Sequence, residues 1–432
     1  MHNILKNNLN LWGIYTLITL LVLLSTGQLS HIYVEHDDWH YMTTWLSYLD
    51  TTDTPFNRML MEGRWINYLW SFVAQKLSIE QNYFLFLGLY NLFCWGIACL
   101  LTSSRYQLLI AFALFFMPQF GQLSLWPATL TPMLIIGIII VLMAHYKIKE
   151  YYFIIPFITL MLSYPPLLAF LLPILAYQYQ SPKSAVKFVA IFCISYLLGV
   201  LLMYTLNGYY HNYFGIKIAE SRSPNPLNSG VALEENLSRL WKFYTESFWR
   251  NLVPLVFAFF LSFWLNSKHI LKIGLIALFL FIQESSLILY TGVDIPERSQ
   301  MWTWISFILI ALPLLQQSKW KLWIGIAYLG YLVLSGAYFW STHYISFQKY
   351  ANFEYYLSGM TQLHHRRQIL LCGQFQRIEG QRYKALQPIS LILSIYKRTE
   401  VQLIPVRGNI CKQTDQVGFY RSGDYLIYQL DY

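Results

Sequence analysis

Residues 35–41 read EHDDWHY, which puts Glu35, His36, Asp37, Asp38 and His40 within six positions. A carboxylate at a membrane boundary acts as general base toward a hydroxyl when it reaches hydrogen-bond distance. Two adjacent carboxylates also bind a divalent cation through oxygen. Successive Asp residues on an irregular loop need not face the same way. One of Asp37 and Asp38 can be catalytic while the other caps a helix expected to start at Trp39. The competing reading is that these acids are solvated loop residues or caps. The chain continues through Asp50 and Asp53 to PFNRMLMEGRW, which adds Arg58, Glu62 and Arg64.

Two further constellations belong with this one. GVDIPER (292–298) sets Asp294, Glu297 and Arg298 directly before an apolar run. The planar fork of Arg binds two phosphate oxygens at once; the alternative is an Arg pairing its neighbouring Glu at a helix start. KIAESRSPNP (217–226) carries Lys217, Glu220 and Arg222 behind Tyr209, Tyr210, Tyr213 and Phe214. Cations framed by aromatics suit a lipid phosphate bearing a sugar, and equally suit interfacial anchoring. GxSxG, HExxH, Walker and CxxC patterns are absent. His364-His365-Arg366-Arg367 reads as a solvated or headgroup-facing patch. Glu284 in FIQESS is the clearest intramembrane charge, and a pump would carry more of them.

These groups must be positioned by an apolar chain. Of 432 residues, 56% are hydrophobic and 12% charged, with 15 Trp, 34 Tyr and 29 Phe; the mean hydropathy is +0.40. The expected class is mainly α: a polytopic transmembrane helical protein. Apolar runs fall at 10–29, 82–101, 105–118, 128–146, 151–162, 165–179, 184–207, 249–266, 270–291, 299–317 and 321–341. About 20 residues are needed to span a bilayer core. The runs 105–118, 151–162 and 165–179 are shorter, which fits half-helices or kinked pieces lining a protein cavity. The N-terminal run reads as a retained anchor. Residues 64–80 read as an amphipathic helix along the membrane surface, with Trp65, Leu69, Phe72, Val73 and Leu77 on the apolar face and Asn67, Ser71, Gln75 and Lys76 polar.

Lys and Arg set an orientation. With Lys6 cytoplasmic, the short loops holding Arg105, Lys147/Lys149, Lys183/Lys187, Lys268/Lys272 and Lys319/Lys321 all fall inside. Segments 30–81, 119–127, 208–248 and 292–298 and the tail then lie outside. The expected division is a membrane domain over 1–341 and a small C-terminal α+β domain over 342–432. The tail opens as helix and continues in β-like runs QILLCG, LILSIY, VQLIPV and YLIYQL. Its basic surplus favours lipid headgroups or anionic sugars. Cys94, Cys99 and Cys193 sit in apolar runs as packing residues. Cys372 and Cys411 are expected to form a disulfide outside the cytoplasm.

An N-terminal helix, an acidic pair directly after it (Asp37-Asp38), a GRW element (Gly63-Arg64-Trp65), many short hydrophobic helices and a polar C-terminal region together resemble GT-C superfamily glycosyltransferases. Within these, the chain is most similar to the bacterial Gtr-type family that glucosylates O-antigen in serotype conversion. SLWPATLTPM (124–133) and MLSYPPLLAF (161–170) add to the likeness, which covers about residues 10–341. The resemblance implies an inner-membrane enzyme moving glucose or another hexose from a polyprenyl-phosphate carrier to an O-antigen or lipopolysaccharide acceptor, with inversion, on the periplasmic face. It implies Asp37 or Asp38 as base, with Glu35 and His40 in its shell. Arg298 and Arg222 are the implied phosphate ligands. Arg58, Glu62, Arg64, Tyr164 and Glu297 complete the substrate-binding set. A divalent metal stays open. The implied partners are the lipid-linked donor, the glycan acceptor, membrane lipids, a carrier-loading transferase and a flippase, with no nucleic acid. The alternatives are an O-antigen ligase or polymerase, or a lipid-linked glycan flippase or transporter. The one His in 208–248, His211, speaks against the ligase.

Overall fold

The structure, a computed structural model, describes residues 2–30, 32–42, 54–102, 106–179, 182–219, 222–262, 267–293, 295–316, 319–361, 368–372, 402–405, 418–422 and 425–429. The side chains of residues 2–8, 36, 37, 182, 267–270, 316 and 319, and those from 346 onward, lie outside that description. So do Asp50, Asp53, Arg105, Glu220, Asp294, the 364–367 patch, LILSIY and Cys411. The cysteine bridge therefore falls outside the described residues.

The chain is mainly α. Its helices are α1 His2–Ser25, α2 His36–Met42, α3 Pro55–Glu62, α4 Trp65–Ala74, α5 Ile79–Leu101, α6 Gln107–Phe115, α7 Pro118–Leu123 and α8 Pro127–His145. There follow α9 Ile154–Met161, α10 Pro165–Gln178, α11 Pro182–His211, α12 Gly230–Arg250, α13 Leu252–Ser262, α14 Ser267–Thr291, α15 Met301–Ala311 and α16 Lys319–Thr361. Every expected apolar run carries a helix. Among the described residues, five stretches are long and apolar enough to cross a membrane: Ile79–Leu101, Pro127–His145, Lys183–His211, Leu271–Thr291 and Trp320–Ile345. The others are shorter, and α9 and α10 are the half-helices that Pro165-Pro166 separates.

Local sequence explains the helix ends nearest the site. Thr54 caps α3 by accepting from the Asn57 N–H, and Pro55 fits the first turn, where its missing N–H costs nothing. Gly63 ends α3 at φ 67, and a Cβ there would strike Met203, so both conformation and space demand glycine. A capping box of Ser78 and Gln81 starts α5. The apolar centre is built where α5 packs on α8, with α6, α10 and α15 around it. Phe93, Phe120 and Phe170 meet there, their ring centroids 5.9–6.2 Å apart.

Four expectations change. First, the helix after His36 begins there rather than at Trp39, so both aspartates lie in its first turn. Second, α4 is amphipathic with its apolar residues outward, as expected, but it ends at Ala74 and turns its polar face into the protein rather than to water. Asn67 and Ser71 are fully buried, while Leu69, Phe72 and Val73 are exposed. Its polar residues find partners inside the protein, which leaves the apolar ones free for an apolar medium. Third, the stretch expected as an external loop over 208–248 contains the 21-residue α12. Ser229 caps it, and it packs along α14. Fourth, α16 runs unbroken through 341–342. The expected runs QILLCG, VQLIPV and YLIYQL do carry strands, and 418–422 adds a fourth. These are β1 Gln368–Cys372, β2 Gln402–Pro405, β3 Gly418–Ser422 and β4 Tyr425–Gln429, in the order β2-β1-β4-β3. The β3–β4 pair is antiparallel, and β1 runs parallel to both of its neighbours.

Three of the basic segments meet. Lys187 pairs with Glu150 at 3.7 Å, Ser184 donates to the same carboxylate, Tyr179 donates to the Ile148 carbonyl, and Lys272 donates to the Tyr179 carbonyl. The segments carrying Lys147/Lys149, Lys183/Lys187 and Lys272 thus share one end of the helix bundle.

Candidate functional site

The start of α8 organises the site. Trp126, at its N-cap position, has no side-chain acceptor, and Pro127 has no N–H. The donors left to satisfy are those of Ala128 and Thr129. Both donate to Asp38, at 2.5 Å to Oδ2 and 2.6 Å to Oδ1. Asp38 is fully buried. Its charge is held there by two charge-assisted bonds and the positive end of α8. The carboxylate expected to cap its own helix instead caps one 90 residues away. Glu35 is tied in beside it: its carboxylate accepts from the Tyr33 hydroxyl, its N–H donates to the Leu125 carbonyl, and its own carbonyl accepts from the Asp38 N–H.

Tyr41 marks how close the next groups come. Burial pushes its phenol well above the ordinary value, the Glu62 carboxylate adds to this, Arg64 and Arg58 oppose it, and Asp38 adds again. The phenol is therefore a neutral hydroxyl at physiological pH. Glu62 and Arg64 pair at 3.4 Å across the Gly63 turn. His40 is buried in the same element, α2.

Arg64 reaches across to the break between α9 and α10, where its guanidinium carbon lies 5.4 Å from the centre of the Tyr164 ring. Asn67 fixes that break. Its amide donates to the Ser163 carbonyl and its oxygen accepts from the Ser163 hydroxyl at 2.7 Å, while the Ile66 N–H donates to the Leu162 carbonyl. Tyr164 is 3% exposed, and its buried hydroxyl faces Ser299 and Arg298. Arg298 and Arg64 both lie within electrostatic reach of that hydroxyl. Arg298 stacks on Trp126, 4.5 Å from the ring centre, which returns the chain of contacts to the α8 start.

Glu297 accepts from the Gln122 amide at 3.2 Å and forms an ion pair with Arg250, the last residue of α12. One turn earlier, the Ser247 hydroxyl donates to the Gln300 side-chain oxygen. Ser247, Asn251 and Gln300 are also part of the wall of an apolar cavity of about 810 Å³ between α12, α13, α14 and α15, which Trp302, Phe281 and Phe307 help to line. An apolar chamber, a row of arginines and an acidic segment therefore follow one another: cavity, Arg250 and Glu297, Arg298 on Trp126, Tyr164 and Arg64, then Tyr41 and Asp38.

The structure brings together Glu35, Asp38, His40, Arg58, Glu62, Arg64, Tyr164, Glu297 and Arg298. Arg222 stands apart: it is exposed on a turn whose N–H donates to Ala219, with no contact to this cluster among the described residues. Asp37 belongs to α2 by its backbone. Sequence reasoning missed Arg250, Gln122 and Trp126, and took Asn67 for a surface residue. A signal for Arg250 was present: Arg239, Lys242, Glu246 and Arg250 recur every three or four residues, the period of a helix face. Among the described residues, no three His, Cys, Asp or Glu side chains gather as a metal site requires. Both Asp38 oxygens accept backbone N–H groups, and the Asp37 side chain lies outside the described residues.

Set against known protein families, curated proteins and solved structures, the chain matches none.

Proposed function

We propose that the chain is a membrane glycosyltransferase that takes a hexose, glucose among them, from a polyprenyl-phosphate carrier and delivers it with inversion to a glycan acceptor of the O-antigen or lipopolysaccharide kind. One observation carries the reading: the segment that walls an apolar cavity at Gln300 carries, two residues earlier, Arg298, which with Arg64 flanks the buried Tyr164 hydroxyl, and these adjoin the acidic segment. A donor with an isoprenoid tail, an anionic phosphate and a sugar has the same order of parts. The tail lies in the cavity, Arg298 and Arg64 face the phosphate, and Tyr164 donates to one of its oxygens.

The base is Asp37. The Asp38 oxygens are committed to α8, so Asp37 is the carboxylate of the pair left for chemistry. It takes the proton of the acceptor hydroxyl. The oxygen attacks the anomeric carbon, and the bond from that carbon to the phosphate oxygen breaks with its electron pair remaining on phosphate. A phosphodiester with one negative charge becomes a monoester that carries more, so cations at this seat stabilise the transition state more than the ground state.

In this reading all eleven apolar helices are membrane elements of a bacterial inner-membrane protein. The basic segments that meet around Glu150 and Tyr179 lie in the cytoplasm with the N-terminus. The 342–432 segment, with its sheet, is a small α+β domain in the periplasm. The supply of donor requires a carrier-loading transferase and a flippase. The test is mass spectrometry of surface polysaccharide and lipid-linked glycan from cells with and without the chain. A hexose increment on the glycan that depends on Asp37 is expected; unchanged glycans together with solute transport by reconstituted vesicles would replace this reading with a transporter.

A further inference from the structure

The sequence places Glu297 among substrate ligands and gives Arg250 no role. The geometry reverses this. Resting on the lipid-phosphate reading above, we infer that Arg250 is a phosphate-binding residue and that Glu297 is its resident counter-ion, occupying the anion seat until the donor phosphate displaces it.

Five observations converge. Arg250 is the last residue of α12; Ser247, one turn earlier, and Asn251, the next residue, line the apolar cavity, while Arg250 itself lies off the lining face. Its guanidinium lies beside that wall, turned to Glu297. Glu297 is the carboxylate that pairs with it. Glu297 has a second anchor in the Gln122 amide, so it keeps a partner when Arg250 leaves. The pair is partly open, at 39% and 22% side-chain exposure, so a ligand oxygen has access to it. Arg298, the next residue after Glu297, points to Trp126 and Tyr164 and takes no part in this pairing.

A part-buried guanidinium is costly to leave unpaired. In the empty enzyme Glu297 meets that need by direct pairing, and Glu246, one turn back on α12, adds its field. The diester of the donor also carries one negative charge and competes with Glu297 on near-equal terms. The monoester left after transfer carries more charge, so exchange favours the phosphate as the anomeric bond breaks. When the product diffuses away, Glu297 returns to Arg250, so release never exposes a bare cation.

The experiment uses the full chain in detergent micelles, with farnesyl phosphate and farnesol as probes and fluorescence of the cavity tryptophans as readout. The two probes share a tail and differ in the phosphate. The wild type should bind farnesyl phosphate at least about tenfold more tightly than farnesol, the size expected of one charge-assisted contact. Arg250→Gln should remove most of that preference. Glu297→Gln, which keeps an acceptor for Gln122, should increase it by about threefold or more. The double variant should match Arg250→Gln alone, because Glu297 acts only through Arg250. If Arg250→Gln fails to fold, Glu297→Gln alone decides. A Glu297→Gln variant that binds farnesyl phosphate no better than the wild type overturns the inference and leaves the lipid-phosphate reading standing. A wild type that does not discriminate between the two probes overturns both.

Discussion

The 32–64 segment and the 292–300 segment each bring a carboxylate into the same cluster, and they use it differently. Asp38 is fully buried and spends both oxygens on the backbone N–H groups of α8. Glu297 is partly open and shares its carboxylate between two side chains, Gln122 and Arg250. Backbone donors at a helix start cannot turn away, so Asp38 is part of the framework. Side-chain partners can rotate, so Glu297 is exchangeable. An acidic residue in a candidate active site is thus classified by what holds it. On this comparison Asp38 is structure, and the proposals above give Glu297 the part of counter-ion and Asp37 that of base.

The largest expected effect separates the adjacent aspartates. Asp37→Asn should lower transfer by about 10²–10⁴-fold, the usual range for losing a general base, with an unchanged melting temperature in detergent. Asp38→Ala should destabilise the fold by roughly 3–5 kcal/mol, since it strips a buried cap and leaves two N–H groups unpaired. Denaturant titration followed by tryptophan emission measures this, and a loss below 1 kcal/mol would end the framework role. Asn67→Ala comes next. It leaves the Ser163 hydroxyl without its buried acceptor and should cost about 1–3 kcal/mol. A folded Asn67→Ala variant should also show a raised KM, because the break that carries Tyr164 loosens. The smallest effect is expected from Trp126→Leu. Removing the ring under Arg298 forfeits about 0.5–2 kcal/mol of cation–π attraction, and should appear as a several-fold rise in donor KM with little change in stability.

Much of the helical framework was legible because apolar runs report directly on burial or on contact with lipid. The break at Tyr164-Pro165-Pro166 was legible from proline chemistry, and Arg298, Arg64 and Glu62 were legible as charges beside apolar runs. The side on which α4 buries its polar residues was not, because a helical wheel shows two faces without saying which medium lies on each. The role of Asp38 was hidden for another reason: its partners are backbone donors 90 residues away, at a helix whose capping position holds a tryptophan. Nothing in EHDDWHY distinguishes Asp37 from Asp38; the deficiency that selects Asp38 is written in WPAT, residues 126–129. Arg250 was missed because the segment before it reads as a polar loop until its three-to-four-residue charge spacing is counted.

The central claim is that Asp37 acts as base in sugar transfer from a lipid phosphate, with Asp38 holding the scaffold. It is tested most directly by reconstituting the full chain in liposomes with a radiolabelled polyprenyl-phosphate hexose and acceptor glycan, and comparing the wild type with Asp37→Asn at matched folded protein. The account predicts label appearing on the acceptor with the wild type and a loss of at least about 100-fold with Asp37→Asn. Transfer by Asp37→Asn at the wild-type rate would contradict it.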